Sequence, residues 1–114
     1  MHTGTEWVID ARGCVAVALQ SPALLKALFD AICADLELRP LAPAIWHVFP
    51  GHGGITGLVL LSESHLTIHT YPELGVAAIN LYCCRQAPLE WPWELRLQEH
   101  LGAGAVEVRR FPRG

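Results

Sequence analysis

The sequence predicts an α+β fold, a two-layer sandwich in which two helices pack on one face of an antiparallel sheet. One observation is that four β-prone segments follow one another between two segments with helical periodicity. Another is that only a few residues join these segments, which favours hairpins over the long crossovers that parallel strands need. The last is size: 114 residues, of which 52% are hydrophobic, indicate one domain, residues 1–114, with a real core.

Each element has its own local signal. Residues 6–11 alternate apolar and polar side chains, as a strand with one buried face does. A helix then starts after Ser21, which suits the N-cap, with Pro22 at the first helical position and apolar residues at helical spacing. The remaining strands are predicted at residues 44–49, 55–61, 66–71, 76–84 and 105–111, and the second helix, residues 91–101, ends before Gly102.

Composition excludes several classes of protein. The formal net charge is −3 and the basic residues are scattered apart from a short C-terminal arginine tail, so there is no electrostatic footprint for nucleic acid. No apolar run reaches the roughly 18 residues of a membrane span. The N-terminus lacks a basic region followed by an apolar stretch. We therefore expect a cytoplasmic protein without nucleic-acid or membrane partners.

The cysteines predict neither a disulfide framework nor a zinc knuckle. There are four of them, Cys14, Cys33, Cys83 and Cys84, and no pair has the C-x-x-C spacing. In a reducing compartment they should be free thiols. Neighbours on a strand point to opposite faces, so Cys83 and Cys84 should have different roles.

A polar cluster interrupts the most β-prone region. Ser62, Glu63, Ser64 and His65 stand between two apolar strands. Buried polar groups cost free energy unless they are partnered, so this is a satisfied hydrogen-bond cluster or a site of chemistry. Strand alternation also predicts one more polar face of the sheet, which carries His65, Thr67, His69, Tyr71, Asn80, Tyr82 and Cys84.

Three chemistries are compatible with these residues. A zinc site at His65 and His69 is the weakest, because H-x-x-x-H suits a helix and no third ligand is obvious; we expect no metal. Cys84 could act as a nucleophile if a histidine activates it. The third is self-processing between Glu63 and Ser64, in which the serine hydroxyl attacks the carbonyl that precedes it. Residue spacing alone does not exclude a pair in which a histidine activates Cys84.

Residues 54–85 closely resemble the core of the prokaryotic S-adenosylmethionine decarboxylase proenzymes. The family pattern is a Gly-x-Ser/Thr-Gly strand, then Glu-Ser-His, a histidine four residues on, an aromatic-Pro-Glu turn and a cysteine. Residues 4–14 and the Trp-His-Val-Phe strand before the glycine loop are also similar to the family's. The matching residues are Gly54-Ile55-Thr56-Gly57, Glu63-Ser64-His65, His69, Tyr71-Pro72-Glu73 and Cys84.

The resemblance implies that the precursor cleaves itself between Glu63 and Ser64, giving a β chain of residues 1–63 and an α chain of residues 64–114. Ser64 would attack the Glu63 carbonyl in an N-to-O acyl shift. His69 would then remove the Cα proton for β-elimination, and the product would hydrolyse to a covalent pyruvoyl group, the implied cofactor. Two further residues match positions that support this processing, Thr56 and His65.

The resemblance also implies the reaction. The pyruvoyl carbonyl would form a Schiff base with the α-amine of S-adenosylmethionine and act as the electron sink when CO2 leaves, which supplies aminopropyl groups for spermidine. Cys84 matches the residue that reprotonates the α-carbon. Glu73 matches the carboxylate that binds the ribose hydroxyls, and Tyr71 replaces a common Trp that lines the pocket. Because family members pair and build sites from both chains, a homodimer or higher oligomer is implied.

The chain departs from the family pattern at several positions near the expected pocket. Asn80 stands where Asp is usual, Cys83 where Thr is frequent and Arg85 where Gly is usual, and the glycine loop before Gly54 is one residue longer. S-adenosylmethionine stays the preferred substrate, since Glu73 and the aromatic ring are retained. The same chemistry on ornithine or arginine is the first alternative. An unprocessed regulatory or binding homologue is the second.

Overall fold

The computed structural model describes residues 2–85 and 90–114. Its elements form one antiparallel sheet with helices packed on one face, which confirms the predicted α+β fold. The elements are β1 (Gly4–Arg12), α1 (Ala16–Leu19), α2 (Pro22–Asp35), β2 (Ile45–Val48), β3 (Ile55–Leu60), β4 (Ser64–Tyr71), β5 (Val76–Cys83), α3 (Trp93–Leu101) and β6 (Ala105–Arg113). The strand order is β2-β3-β4-β5-β1-β6.

One face of the sheet and the helices enclose the core. Residues of β5 alternate between buried and half-buried, so that Ile79, Leu81 and Cys83 point into the core as the strand pattern predicted. Burying one large aliphatic side chain is worth about 1.5–3 kcal/mol, so this layer is the main source of stability. Fully buried side chains come from both layers and include Ile9, Leu25, Leu28, Ile32, Leu66, Ile68, Leu81 and Leu97.

The two predicted helices are present, and α3 begins at Trp93, two residues after the predicted start at residue 91. The Ser21 hydroxyl accepts a hydrogen bond from Leu24 N–H at 3.2 Å, and α3 ends at Gly102, whose φ of 68° is left-handed. The prediction of two helices omits α1, which has only four residues and no side-chain cap. No helix in the described part of the chain is long and apolar enough to cross a membrane.

Strand β4 begins at Ser64, two residues before its predicted start at residue 66. Ser64 pairs with Cys83 and His65 pairs with Tyr82, so both polar residues belong to the ladder. The polar cluster therefore contains a turn of two residues rather than a longer break in the sheet.

The opposite face of the sheet carries no helix in the described residues. There the Glu6 carboxylate accepts hydrogen bonds from Asn80 Nδ2 at 2.9 Å and from Arg113 Nη1 at 2.6 Å. These bonds connect the three neighbouring strands β5, β1 and β6. Both bonds lower the pKa of Glu6 from its ordinary value of 4.5, and the bond from the Asn80 amide has a larger effect than the bond from the Arg113 guanidinium. Asn80 stands where the family pattern usually has Asp, and its amide can donate to the Glu6 carboxylate.

Asn80→Asp should lower the melting temperature at pH 7 by a few degrees, because a second carboxylate would face Glu6 where an amide now donates. In the wild type the pKa of Glu6 is lowered, so its stabilising effect is complete above pH 4.5 and is lost as the pH falls through the lowered value. In the variant, protonation of either carboxylate relieves the repulsion. The difference in melting temperature between the variant and the wild type should therefore become smaller as the pH falls below about 4.

Thermal unfolding followed by circular dichroism between pH 7 and pH 3 measures both effects. Asn80→Ala is the control, since it removes the donor without adding a charge. Equal melting temperatures of wild type and Asn80→Asp at pH 7 would contradict the hydrogen bond as described.

Candidate active site

A two-residue turn joins β3 to β4 and contains the predicted cleavage site. We call residues 61–64 the processing turn; Leu61 N–H donates to the Ser64 carbonyl at 3.0 Å, which closes it. Ser62 N–H donates to the Arg39 carbonyl at 2.9 Å and holds the turn against the chain before β2. Ser62 and Glu63 are exposed and have negative φ angles, so no left-handed strain is stored there. The Glu63–Ser64 bond therefore lies at an accessible end of the sheet.

The Glu63 carbonyl is held by a backbone donor. It accepts a hydrogen bond at 2.8 Å from the N–H of Cys84, the residue that follows β5. A donor in this position polarises the carbonyl and stabilises negative charge that develops on its oxygen. Ser64 follows directly, so its hydroxyl and this carbonyl belong to one short segment.

The Ser64 hydroxyl is buried, and among the described residues it has no hydrogen-bond partner. A buried hydroxyl without a partner costs about 1–3 kcal/mol, and native structures contain few of them. Ser64 shares its side of β4 with Leu66 and Ile68, which lie in the core. The unpartnered hydroxyl is the one feature of this turn that stability does not explain.

The two adjacent thiols differ in their surroundings. Cys83 is fully buried opposite Ser64, whereas Cys84 is exposed beyond the end of the strand. Burial raises the pKa of Cys14 and of Cys33, which keeps those two thiols protonated and unreactive. Cys84 is thus the accessible thiol at this end of the sheet.

A second group of candidate residues lies at the other end of β4. We call Thr56, His69, Tyr71 and Glu73 the histidine pocket; Thr56 Oγ1 lies 3.0 Å from His69 Nδ1, which is a hydrogen bond between paired strands. In the tautomer with a proton on Nδ1, the Nδ1–H donates a hydrogen bond to the Thr56 hydroxyl, and the lone pair of Nε2 is available to act as a base. A cavity of about 290 Å³ opens beside His69, lined by Phe49, His52, Thr56, Tyr71 and Glu73 among others.

Thr70 fixes the wall of this pocket, although it was not among the predicted site residues. Its buried hydroxyl accepts from Ile55 N–H at 2.9 Å and donates to the Leu19 carbonyl at 2.8 Å. A Cβ at Gly54 would lie 2.7 Å from the Thr70 carbonyl, so only glycine allows this close approach. The only sequence signal was a hydroxyl at a position where the alternation predicts an apolar side chain.

The structure does not bring all the predicted residues together within one chain. Ser64 and His69 are five residues apart on one strand, so their Cα atoms are about 17 Å apart. Their side chains point to opposite faces, since Ser64 is on the core side and His69 is on the open side. His65 directly follows Ser64, but its side chain is on the open face, where its ring stacks on Tyr82 at 5.9 Å between centroids. One chain thus holds two half-sites.

The larger cavity, about 640 Å³, is elsewhere. It lies between α3 and the edge formed by β1 and β6, and it is lined by Trp7, Trp91, Trp93 and Arg110 among others. None of the predicted site residues borders it. Cavity size alone therefore does not identify the candidate site, because Thr56, His69, Tyr71 and Glu73 line the smaller cavity, and Ser64 and Cys84 line neither cavity.

Comparison with known proteins agrees with these features. The S-adenosylmethionine decarboxylase family model matches residues 5–114. The S-adenosylmethionine decarboxylase proenzyme of Thermomicrobium roseum is 39% identical over 113 residues, which cover 97% of this chain and 93% of the relative. The proenzyme of the same name from Caldicellulosiruptor saccharolyticus is 33% identical over 117 residues, covering 100% of this chain and 91% of the relative. The fold is similar to a crystal structure of the adenosylmethionine decarboxylase from Aquifex aeolicus, with a TM-score of 0.80 and 23% identity over 99% of this chain and 92% of that one.

Proposed function

Because the chain belongs to the S-adenosylmethionine decarboxylase family, we propose that it is a proenzyme that cleaves itself and then decarboxylates S-adenosylmethionine. The observation that carries the cleavage is the processing turn, where the unpartnered Ser64 hydroxyl follows a carbonyl already held by the Cys84 N–H. The product of the decarboxylation supplies aminopropyl groups for spermidine. The enzyme is thus a lyase of polyamine synthesis.

The first step is an acyl shift within the processing turn. Ser64 Oγ forms a bond to the Glu63 carbonyl carbon, the bond from that carbon to the Ser64 nitrogen breaks, and the hydroxyl proton ends on the released amine. The Cys84 N–H, at 2.8 Å from the carbonyl oxygen, stabilises the charge on that oxygen in the tetrahedral intermediate. The result is an ester between Glu63 and Ser64.

The second step needs a base at the Cα of Ser64. His69 Nε2 removes the Cα proton, the Glu63 carboxylate leaves with the ester oxygen, and water hydrolyses the resulting dehydroalanine with release of ammonia. Thr56 supports this role, because its hydroxyl lies 3.0 Å from His69 Nδ1 and orients the ring; in the neutral tautomer with the proton on Nδ1, the lone pair of Nε2 is free. Residues 1–63 then end in Glu63, and residues 64–114 begin with a pyruvoyl group.

A second copy of the chain supplies the base. Ser64 and His69 of one chain are about 17 Å apart on one strand, a distance that a proton transfer cannot cross. The uncovered sheet face carries exposed apolar side chains, Ile45, Leu58 and Leu60, which a partner would bury. A two-fold axis that crosses β4 near its middle, at a right angle to the strand, would place the Ser64 end of one β4 over the His69 end of the other. We infer a homodimer with two shared sites, and higher oligomers are compatible with it.

The residues around the processing turn fit a pyruvoyl group. Ser64 Oγ is a buried polar atom that has no hydrogen-bond partner in residues 2–85 and 90–114, and cleavage frees the residue from the turn that holds it on the core side. When formed, the group supplies the electron sink for loss of CO2. Cys84, the exposed thiol next to the turn, delivers the proton that replaces CO2, a contribution of roughly 10²–10⁴-fold for a general acid. Cys83 is fully buried and has a packing role.

Substrate recognition is assigned to the histidine pocket. Glu73 offers a carboxylate to the ribose hydroxyls, and the Tyr71 ring, which is partly exposed, lies along the purine or faces the sulfonium. Phe49 lines the same cavity. The relatives named above are S-adenosylmethionine decarboxylase proenzymes, and no observation favours ornithine, arginine or an unprocessed homologue. A nucleoside also suits this cavity of about 290 Å³ better than a bare amino acid does.

Purified wild-type protein should consist of two chains, residues 1–63 and 64–114, and the second should have a blocked N-terminus that reacts with phenylhydrazine. Ser64→Ala should stay whole and inactive, because the attacking oxygen is gone. Intact mass spectrometry measures both. Ser62→Ala is the matched control from the same turn, and it should cleave normally. Cleavage of Ser64→Ala between residues 63 and 64, or a wild type that stays whole, would contradict self-processing.

Glu73→Gln should weaken binding of S-adenosylmethionine by about 1–3 kcal/mol, the usual cost of losing a charged hydrogen bond, and appear mainly in KM. Release of labelled CO2 from carboxyl-labelled S-adenosylmethionine, arginine and ornithine measures activity and substrate choice together. Glu94→Gln, at an exposed position on α3, is the control and should match the wild type. Equal turnover of the three substrates by the wild type would refute the assignment.

A further inference from the structure

The Arg85 side chain ties the end of β5 to the end of a helix. Its Nη1 donates to the Leu36 carbonyl at 2.8 Å, and its Nη2 donates to the Glu37 carbonyl at 2.6 Å. Leu36 caps α2, and Glu37 follows it with a φ of 55°. The guanidinium thus bridges two successive carbonyls just after the last turn of the helix.

This helix end is suited to a cation. The last carbonyls of a helix have no intrahelical donor, and they carry the negative end of the helix dipole. A planar guanidinium can donate to two acceptors at once, which an ammonium group does with less fixed geometry. Arg85 is half-buried, so solvent competes less for these bonds than it does at the surface. These bonds should therefore hold Arg85 more firmly than an exposed ion pair would. We call the contact of Arg85 with the Leu36 and Glu37 carbonyls the anchor.

The anchor acts next to the atoms of the proposed reaction. Cys84 lies beyond the last residue of β5, where the strand ladder no longer holds the chain. Its N–H nevertheless holds the Glu63 carbonyl at 2.8 Å, and the N–H of Arg85 donates to Cys83 Sγ at 3.4 Å. The peptide that polarises the carbonyl is thus fixed by β5 before it and by the Arg85 side chain after it.

We propose that Arg85 is a positioning residue that fixes Cys84, both for the backbone donation to Glu63 in self-cleavage and for the thiol's proton delivery afterwards. This inference rests on the proposed function. The position is also one where the chain departs from the family pattern, so it concerns this protein rather than the family. Displacement of a catalytic group by about 1 Å can cost up to about a hundredfold in rate.

The structure offers a matched control at the same helix end. Trp91 Nε1 donates to Asp35 Oδ2 at 2.8 Å, so this bond also ties a later segment to the last turn of α2. The hydrogen bonds of Trp91 within the described residues go to Asp35 and Trp93, and none goes to the processing turn or to Cys84. Trp91→Phe should therefore lose stability comparable to that lost by Arg85→Ala without disturbing the carbonyl donor.

The experiment compares wild type, Arg85→Ala, Arg85→Lys and Trp91→Phe. A cell-free pulse-chase measures the half-time of self-cleavage, and thermal unfolding measures stability. Arg85→Ala should slow cleavage about ten- to a hundredfold, and Arg85→Lys should be intermediate because an ammonium keeps part of the anchor. Once processing is complete, Arg85→Ala should lower kcat with KM changed less than about twofold, because Cys84 transfers a proton rather than binding substrate.

The outcomes separate this inference from its premise. Normal cleavage and kcat in Arg85→Ala, or equally slow cleavage in Trp91→Phe at equal melting temperature, would overturn the positioning role while self-processing stands. A wild type that never cleaves would overturn both. If Arg85→Ala does not fold, the comparison of Arg85→Lys with Trp91→Phe decides in the same way.

Discussion

Strand β4 is hydrogen-bonded on both sides, to β3 and to β5, so the spacing of its residues cannot change without breaking the middle of the sheet. Ser64 begins this strand, and His69 is five residues further along. Because a strand rises about 3.4 Å per residue, the two groups are held about 17 Å apart in every folded chain. The proposed chemistry needs both, and a second protomer is the simplest way to bring them together.

The two ends of β4 carry different parts of the candidate site: the processing turn at one end and the histidine pocket at the other. At the Ser64 end, the Cys84 N–H donates to the Glu63 carbonyl just beyond the β4–β5 ladder, and the Arg85 side chain binds the end of α2 next to that donor. At the other end, Thr56 holds His69 across the β3–β4 ladder, and the buried Thr70 hydroxyl fixes the pocket wall. Each half-site is positioned by rigid elements on both sides. Neither half-site holds both the nucleophile and the base.

Much of the fold is predictable from the sequence, because alternation and helical spacing are local signals. The six strands, the Ser21 cap and the Gly102 stop have such signals, whereas the four-residue α1 does not. The motif residues are also visible in the sequence, and their roles stay predictions, as do the cytoplasmic location and the absence of a metal. The family resemblance implies sites shared between two chains, but residue type alone does not show which groups fall in which half-site, since that depends on the positions and faces of the residues in the folded strands. The Arg85 contact with α2 joins positions 48 and 49 residues apart, which no local pattern indicates.

The shared site can be tested by mixing two inactive variants. Ser64→Ala and His69→Ala chains, each with its own tag, would be produced separately and together, and the pairs carrying both tags would be purified. In such a pair one site keeps Ser64 from one chain and His69 from the other, so the His69→Ala chain should form its pyruvoyl group and decarboxylation should return. In the purified mixed pairs one site of two is intact, so roughly half of the wild-type sites should be restored, against about a quarter in the unsorted mixture. A mixed dimer as inactive as either variant alone, with the His69→Ala chain never forming the pyruvoyl group, would contradict a site built from two protomers.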